Sequence, residues 1–435
     1  MDPIFFNGIP YRAKKAYFLG THRIKSPEET WEAIAPLAPQ IGVTRIANVT
    51  GLDHIGIPVT AAIRPESLTL STSSGKGLDL MTAQVSGLME SLELHCAEET
   101  NITTLHLPYQ ELSKRMATIP ISQLPLRKLT LFNSTWPERW VTCWDLINQE
   151  PVAAPLLSVS LNYKENRKER TELCSFQMDS NGLASGNHFL EALLSGIYEV
   201  MERDAIACHS YASESTGTPL AKVRLETITY PKVREAIDRL HEAGFFLILY
   251  DCSIDTCLPV FKAVIYDKNR RNTRIAGGYG AHLDPEVAMI RTITEAVQGN
   301  TLAIAGSRDD MFSSHLKIYK KTDSEQTTAK LTEAPETVDA SSYHSEATLT
   351  LEGDIHLLIE KLKTIGISQL LVFDLSKEEL GVSVVRVIIP GLEGCYSQFS
   401  TLKRAKKFAL KQNKPLKEDL FSYQQDAHLP AGGIQ

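Results

Sequence analysis

The sequence predicts a mixed α/β (α+β) fold in which strands and helices alternate along one chain. Three observations carry this. Short runs rich in β-branched and aromatic residues, such as 245–250 and 370–375, alternate with helix-period segments such as 232–243 and 355–363. Interleaving of this kind lays helices on mixed sheets. In addition, three helical segments carry polar stripes through otherwise apolar surroundings. They read Ser86-Gly-Leu-Met-Glu90-Ser-Leu-Glu93, then Glu191-Ala-Leu-Leu-Ser195-Gly-Ile-Tyr-Glu199-Val-Met-Glu202-Arg203, then Arg291-Thr-Ile-Thr-Glu295-Ala-Val-Gln298.

In chain order, residues 1–43 read as a mixed, peripheral N-terminal segment. Residues 44–65 give strand-like runs broken by Gly51 and Gly56. Ser71-Thr-Ser-Ser-Gly75-Lys76-Gly77 reads as a small-residue loop feeding the first acidic helix. Two strand-like runs, 140–146 and 154–161, precede a charged connection at 164–172. Gly182-Leu-Ala-Ser-Gly186-Asn187 leads into the second acidic helix, with Asn187 expected as its N-cap. Residues 232–243 are expected to be helical, with strands at 245–250 and 259–266. Gly277-Gly-Tyr-Gly280 precedes the third acidic helix, for which Asp284 supplies the N-cap and Pro285 the first turn. Residues 322–348, rich in Thr, Ser, Glu and Ala, read as a mobile insertion. A helix at 355–363 and strands at 370–375 and 382–389 follow. The tail, 401–435, begins basic and turns polar. The body thus runs over 44–400.

At 435 residues there is room for one large domain or two to three ordinary ones. A hydrophobic content of 43% and a charged content of 22% are those of a globular chain, and the net charge of -7 argues against bulk nucleic-acid binding. No run approaches the ~18 apolar residues of a membrane helix, and Met-Asp-Pro-Ile-Phe-Phe lacks a signal peptide's basic start. The seven cysteines, at 96, 143, 174, 208, 252, 257 and 395, include no Cys-x-x-Cys, which excludes a disulfide framework or a zinc module. Cys96 and Cys208 read as packing residues. A cytoplasmic location is the expectation.

At about 100° per residue, Glu191, Ser195, Glu199 and Glu202 span an arc of about 80°, and Ser86, Glu90, Glu93 and Ala97 one of about 60°. Two readings stay open for any one helix: a solvated acidic face, or carboxylates turned inward around cations. Recurrence in three helices favours the second, because Mg2+ takes oxygen ligands and keeps phosphate oxygens in its shell. Such a site supports phosphoryl transfer. Arg203 and Lys76 would add cationic phosphate contacts. The bland alternatives are a helix ion pair for Arg203 and a solvated loop lysine for Lys76. Arg291, four residues before Glu295, admits a helix ion pair with it. Gly75-Lys76-Gly77 is no P-loop, since Leu70 stands at the first glycine position and Gly77 at the Ser/Thr position. No Gly-x-Ser-x-Gly occurs, and His54, His95 and His188 qualify only by proximity to the motifs, with His95 facing away from Glu90 and Glu93.

Taken together, these residues resemble the YcaO family. The resemblance runs from Thr44-Arg45-Ile-Ala-Asn-Val-Thr50-Gly51-Leu-Asp53 through the acidic motifs to 384–393, and includes Ser307-Arg308-Asp309-Asp310. It implies a YcaO fold, with core helices carrying an acidic site for ATP and Mg2+, in a catalytic domain over 44–400. It also implies an activity: ATP activates a peptide-backbone amide oxygen, and phosphate then leaves. By this correspondence Glu90, Glu93, Glu191, Glu199, Glu202 and Glu295 handle magnesium. Lys76, Ser86, Glu90, Glu191, Arg203 and Gln298 contact nucleotide or its metal shell, and Glu199, Glu202 and Arg203 carry catalysis.

External sulfide as nucleophile gives a thioamide, and a neighbouring Cys, Ser or Thr gives an azoline. The end, His428-Leu-Pro430-Ala-Gly-Gly433-Ile-Gln435, departs from the Pro-x-Pro-x-Pro tail of many azoline formers, and the first forty residues are too few for a recognition domain. Gly51-Leu-Asp53-His-Ile-Gly-Ile-Pro58 resembles the branch that pairs with TfuA-type proteins, although His54 stands where many members carry arginine. Thioamide formation therefore ranks first and azoline formation second. A non-catalytic peptide-binding scaffold is the alternative of another class. The implied partners are a peptide or protein substrate and a TfuA-like or other recognition protein, without nucleic acid or membrane. Family analogy allows a homodimer.

Overall fold

A computed structural model describes residues 2–98, 102–126, 132–162, 175–217, 219–268, 275–307, 309, 336–394 and 401–411. The charged connection, Cys174, Cys395, Arg308, Asp310, residues 322–335 and the proline-poor end lie outside these. Sheets and helices interleave as expected. A three-stranded antiparallel sheet joins Arg45–Asn48, Val59–Ile63 and Thr72–Lys76. A five-stranded sheet has the order Ile275–Ala281, Val260–Asp267, Phe245–Asp251, Ala221–Arg224, Glu336–Asp339, the last pair parallel. A seven-stranded sheet runs Leu183–Gly186, Ser383–Ile388, Leu371–Asp374, Pro137–Asp145, Glu150–Pro155, Ala117–Thr118, with Leu105–Pro108 also paired to Pro137–Asp145.

Each of these three sheets lies beneath one acidic helix. The first acidic helix, Leu80–Ala97, packs on Thr72–Lys76. The second, Phe189–Thr216, packs on Leu183–Gly186 and Ser383–Ile388. The third, Pro285–Ala305, packs on Ile275–Ala281. The contact is close enough to demand glycine. A Cβ on Gly75 would fall 1.9 Å from the Ala83 carbonyl oxygen, and one on Gly278 would fall 2.3 Å from the Ala296 nitrogen. The helices bury their apolar sides, for example Leu190, Leu193 and Ile197 against Val385 and Val387. Each such side chain contributes about 1.5–3 kcal/mol when fully buried.

Several local expectations need correction. Residues 72–76 form a buried strand, not a loop: Thr-Ser-Ser-Gly looks turn-like only because a helix lies directly on it. The second strand-like run is Glu150–Pro155, and Leu156–Ser158 turns into a 3-10 helix after the proline. The second acidic helix is capped by His188, whose Nδ1 accepts the Leu190 N–H at 3.1 Å, while Asn187 donates to Thr30 Oγ1 at 2.9 Å. Asp284 does cap the third helix, accepting the Glu286 N–H at 2.9 Å. Within the expected insertion, Glu336–Asp339 is a strand, because it pairs in parallel with Ala221–Arg224. Cys96, Cys143, Cys208, Cys252 and Cys257 are free thiols, and Cys96 and Cys208 are fully buried. Among the described residues no helix is long and apolar enough to cross a membrane.

Candidate active site

The three acidic helices converge on one cavity of about 260 Å³. Its wall includes Lys76, Ser86, Glu90, Glu93, Glu191, Glu199, Glu202, Arg203, Glu295 and Gln298, so every residue picked out for metal, nucleotide or catalysis faces the same space. The helices aim them there because each polar stripe breaks an otherwise buried surface.

Strand backbones next to the helices hold three of the glutamates. The Ser74 N–H donates to Glu90 Oε2 at 3.3 Å. The Ser185 N–H and Oγ–H donate to Glu93 Oε1 at 2.8 and 2.7 Å. The Tyr279 N–H donates to Glu295 Oε1 at 3.2 Å, and Lys76 Nζ donates to its Oε2 at 2.6 Å. Gln298 Nε2 donates to Ser74 Oγ at 2.9 Å, tying the third helix to the first sheet. Glu191 accepts the Ile24 N–H at 3.1 Å and lies 3.5 Å from the Arg23 guanidinium. Arg203 sits 3.8 Å from Glu199 Oε1, a buried oxygen that accepts no hydrogen bond among the described residues.

Crowding makes these acids hard to ionise. Burial pushes Glu93 up to about 8 against the Ser185 hydrogen bonds, and the charges of Glu90 and Glu199 add to it. Burial and the Glu295 charge push Glu202 up to about 7, while Arg291 and Arg203 oppose. Glu199 is raised by burial, with Arg203, Arg386 and Arg291 holding it down. Buried glutamates that raise one another's proton affinity fit a divalent cation of the magnesium type. Among the described residues, however, no three His, Cys, Asp or Glu side chains close into a metal-chelating group on their own. The carboxylates are spread along the wall, so the geometry suits ions shared between protein and a polyphosphate rather than a closed protein cage.

Sequence reasoning missed part of this wall. The N-terminal segment, expected to be peripheral, contributes Tyr17, Arg23 and Lys25. Arg23 Nη1 donates to Ser195 Oγ at 3.1 Å, fastening the segment across the second helix. Its one visible signal was the basic pair Arg23-Ile-Lys25. Arg291 also lines the cavity, and Glu295 is paired with Lys76 instead of with it. The histidines belong elsewhere. His54 is exposed, His95 Nε2 lies 3.5 Å from Lys377 Nζ, and His188 is the helix cap. Of the Ser-Arg-Asp-Asp motif, Asp309 accepts from Ser71 N–H and Oγ–H, both at 2.8 Å.

Comparison with known proteins identifies the fold and the family. A Rhizobium leguminosarum bv. trifolii protein of the tfuA 3' region is 34% identical over 383 residues, 85% of this chain and 88% of that one. The structure of YcaO from Methanopyrus kandleri bound with AMPPCP and Mg2+ superimposes with a TM-score of 0.69 at 22% identity, covering 93% of this chain and 98% of that one. A heterocyclase in complex with substrate and cofactor gives a TM-score of 0.76 at 20% identity; the match covers 96% of this chain but only 58% of that longer one. These two likenesses establish the fold. Residues 74–393 match the profile described as YcaO cyclodehydratase, ATP- and Mg2+-binding. With 34% identity over 383 residues to that relative and its acidic core inside that profile, this chain belongs to the YcaO family.

Proposed function

We propose that the acidic cavity binds a magnesium–ATP complex and uses it to convert a peptide-backbone amide into a thioamide. The observation that carries the proposal is the convergence of the three helices' carboxylates with Lys76, Arg203 and Gln298 on one wall. In this reading Glu90, Glu93, Glu191, Glu199, Glu202 and Glu295 hold magnesium. Ser86 and Gln298 contact the nucleotide or its metal shell, and Lys76 and Arg203 stabilise phosphate oxygens. Bound magnesium would neutralise charge along the polyphosphate. Glu199, Glu202 and Arg203, on successive turns of one helix, orient the γ-phosphoryl toward the amide oxygen.

Hydrosulfide adds to the amide carbon, and the amide oxygen takes the γ-phosphoryl from ATP, releasing ADP. The C–O bond then breaks as the C=S bond forms, and the sulfur's proton leaves with the departing phosphate. Support for sulfide as nucleophile comes from the Rhizobium relative's place in a tfuA region and from the 51–58 segment, which resembles TfuA-associated members. On this reading a TfuA-like protein is the partner that presents the peptide or delivers sulfur. A second reading, azoline formation by an adjacent Cys, Ser or Thr, is favoured by the family's cyclodehydratase description and by the likeness to a heterocyclase.

Mass spectrometry separates the two. Incubation with Mg2+-ATP, sulfide and peptides encoded beside the gene should add about 16 Da for a thioamide, whereas an azoline loses about 18 Da. In Glu202→Ala, ATP consumption collapses while peptide binding survives. Unchanged turnover would place the chemistry elsewhere, and a native chain that binds peptide without consuming ATP would favour the scaffold alternative.

A further inference from the structure

The second acidic helix is gripped from behind as well as exposed in front. Its cavity side presents Glu199, Glu202 and Arg203. Asp204 follows, turned about 200° from Glu202 around the helix, and is fully buried. A buried carboxylate is costly unless paired and hydrogen-bonded. Here Asp204 Oδ2 accepts from Arg404 Nε at 2.6 Å, and Oδ1 accepts the Glu393 N–H at 2.9 Å. Arg404 belongs to the first turn of the C-terminal helix, Lys403–Lys411, and its Nη2 donates to Asp255 Oδ1 at 2.6 Å.

Glu393 completes the loop of contacts. Its carboxylate, buried at 1% exposure, accepts the N–H groups of Leu402 at 3.0 Å, Arg404 at 2.9 Å and Ala405 at 3.4 Å. A negative charge at that helix start is favourable by itself. The same residue therefore caps the C-terminal helix and gives its own N–H to Asp204. Ala405 and Ala409 seat the helix, and the Phe408 ring lies 5.0 Å from that of His209 on the second acidic helix. Neither Asp204, Glu393 nor Arg404 is among the described residues lining the cavity. Buried ion pairs are weak stabilisers compared with apolar packing. This one joins the tail helix to the residue next to Arg203, and what it supplies is orientation.

We propose that Arg404 is a positioning residue: through Asp204 it sets the rotation of the second acidic helix, so that the C-terminal helix tunes the cavity's affinity for magnesium–nucleotide. This rests on the nucleotide reading above.

The test is calorimetric titration of the full chain with Mg2+–AMPPCP, alongside thermal melting. Arg404→Met should weaken binding about tenfold, since small misplacements of binding groups cost that much or more. Arg404→Lys, which keeps one charge but cannot bridge both aspartates, should recover most of the loss, to within about threefold of the native chain. Asp255→Asn, which weakens the outer arm and the Lys411 contact at 3.4 Å but leaves Asp204 paired, should stay within about twofold. Val152→Ala, in the core under the seven-stranded sheet and away from both the cavity wall and the C-terminal helix, serves as the stability control: it should lower the melting temperature and leave affinity unchanged. Equal affinity in the native chain and both Arg404 variants overturns the proposal, as does an affinity loss in Val152→Ala matching that of Arg404→Met. If Arg404→Met fails to fold, Arg404→Lys against Val152→Ala decides by the same criterion. A native chain that binds no Mg2+–AMPPCP overturns the nucleotide reading itself, and the positioning role with it.

Discussion

Lys76 and Glu295, 219 residues apart in sequence, meet at 2.6 Å across the cavity and join the edge of the first sheet to the third acidic helix. The ammonium is the cation that offsets Glu295, whose charge in turn presses on Glu202.

Lys76→Met should leave that pair of acids facing each other. Both partners of the bridge are mostly shielded, at 16% and 20% side-chain exposure, so the loss falls between surface and buried cases, at about 1–2 kcal/mol. The melting temperature should drop in metal-free buffer. Mg2+ without nucleotide should raise it by more in the variant than in the native chain, because the cation takes over the offset that the ammonium supplied. Equal increments in scanning calorimetry would mean that Lys76 does not offset the carboxylates.

The raised acids give the metal-free protein a pH signature. Glu93, at about 8, and Glu202, at about 7, hold protons in the fold that an unfolded chain gives up near 4.5. The folded state therefore binds more protons than the unfolded state between those values, and stability falls as pH rises through them. Melting temperature should decline from pH 6 to about pH 8.5. Mg2+–AMPPCP should flatten the decline and release protons, visible as a binding enthalpy that changes with buffer. A flat profile without metal would contradict the burial of these side chains.

Arg291 opposes the charge of both Glu199 and Glu202 from within the cavity. Arg291→Met should push both acids higher. Mg2+–AMPPCP affinity should then fall about tenfold at neutral pH and recover part of that loss at higher pH, where the acids ionise. A loss independent of pH would show direct ligand contact alone.

The sequence made the helices legible and hid the strands beneath them. Glu191, Glu199 and Glu202 announced their shared face through the 3.6-residue period, and the cavity contains them all. Thr72–Lys76 stayed hidden because its buried residues are small and polar, chosen for helix contact rather than for β propensity. His188 was hidden as a cap because Asn187 beside it is the commoner capping residue. Arg23 and Tyr17 lie in a segment without periodicity, and only the tertiary fold brings them to the cavity wall. Arg291 looked like half of an ion pair because spacing along one helix cannot reveal that Lys76 reaches Glu295 first.

Adjacent glycines in one strand give a sharp test of the helix–strand contact. Gly278→Ala would put a methyl 2.3 Å from the Ala296 nitrogen, whereas Gly277→Ala meets only the Ala263 oxygen at 3.5 Å. Gly278→Ala should cost about 3 kcal/mol or more, and Gly277→Ala less than about 1 kcal/mol. Similar denaturation midpoints for the two would mean that the third acidic helix does not sit directly on Ile275–Ala281.

The most direct measurement is equilibrium binding of AMPPCP to the native chain and to Glu202→Gln, each with and without Mg2+. One saturable site that requires Mg2+ is expected, with affinity lowered at least about tenfold by removal of this single carboxylate. Absence of Mg2+-dependent binding to the native chain, or equal affinity in the two proteins, would contradict it.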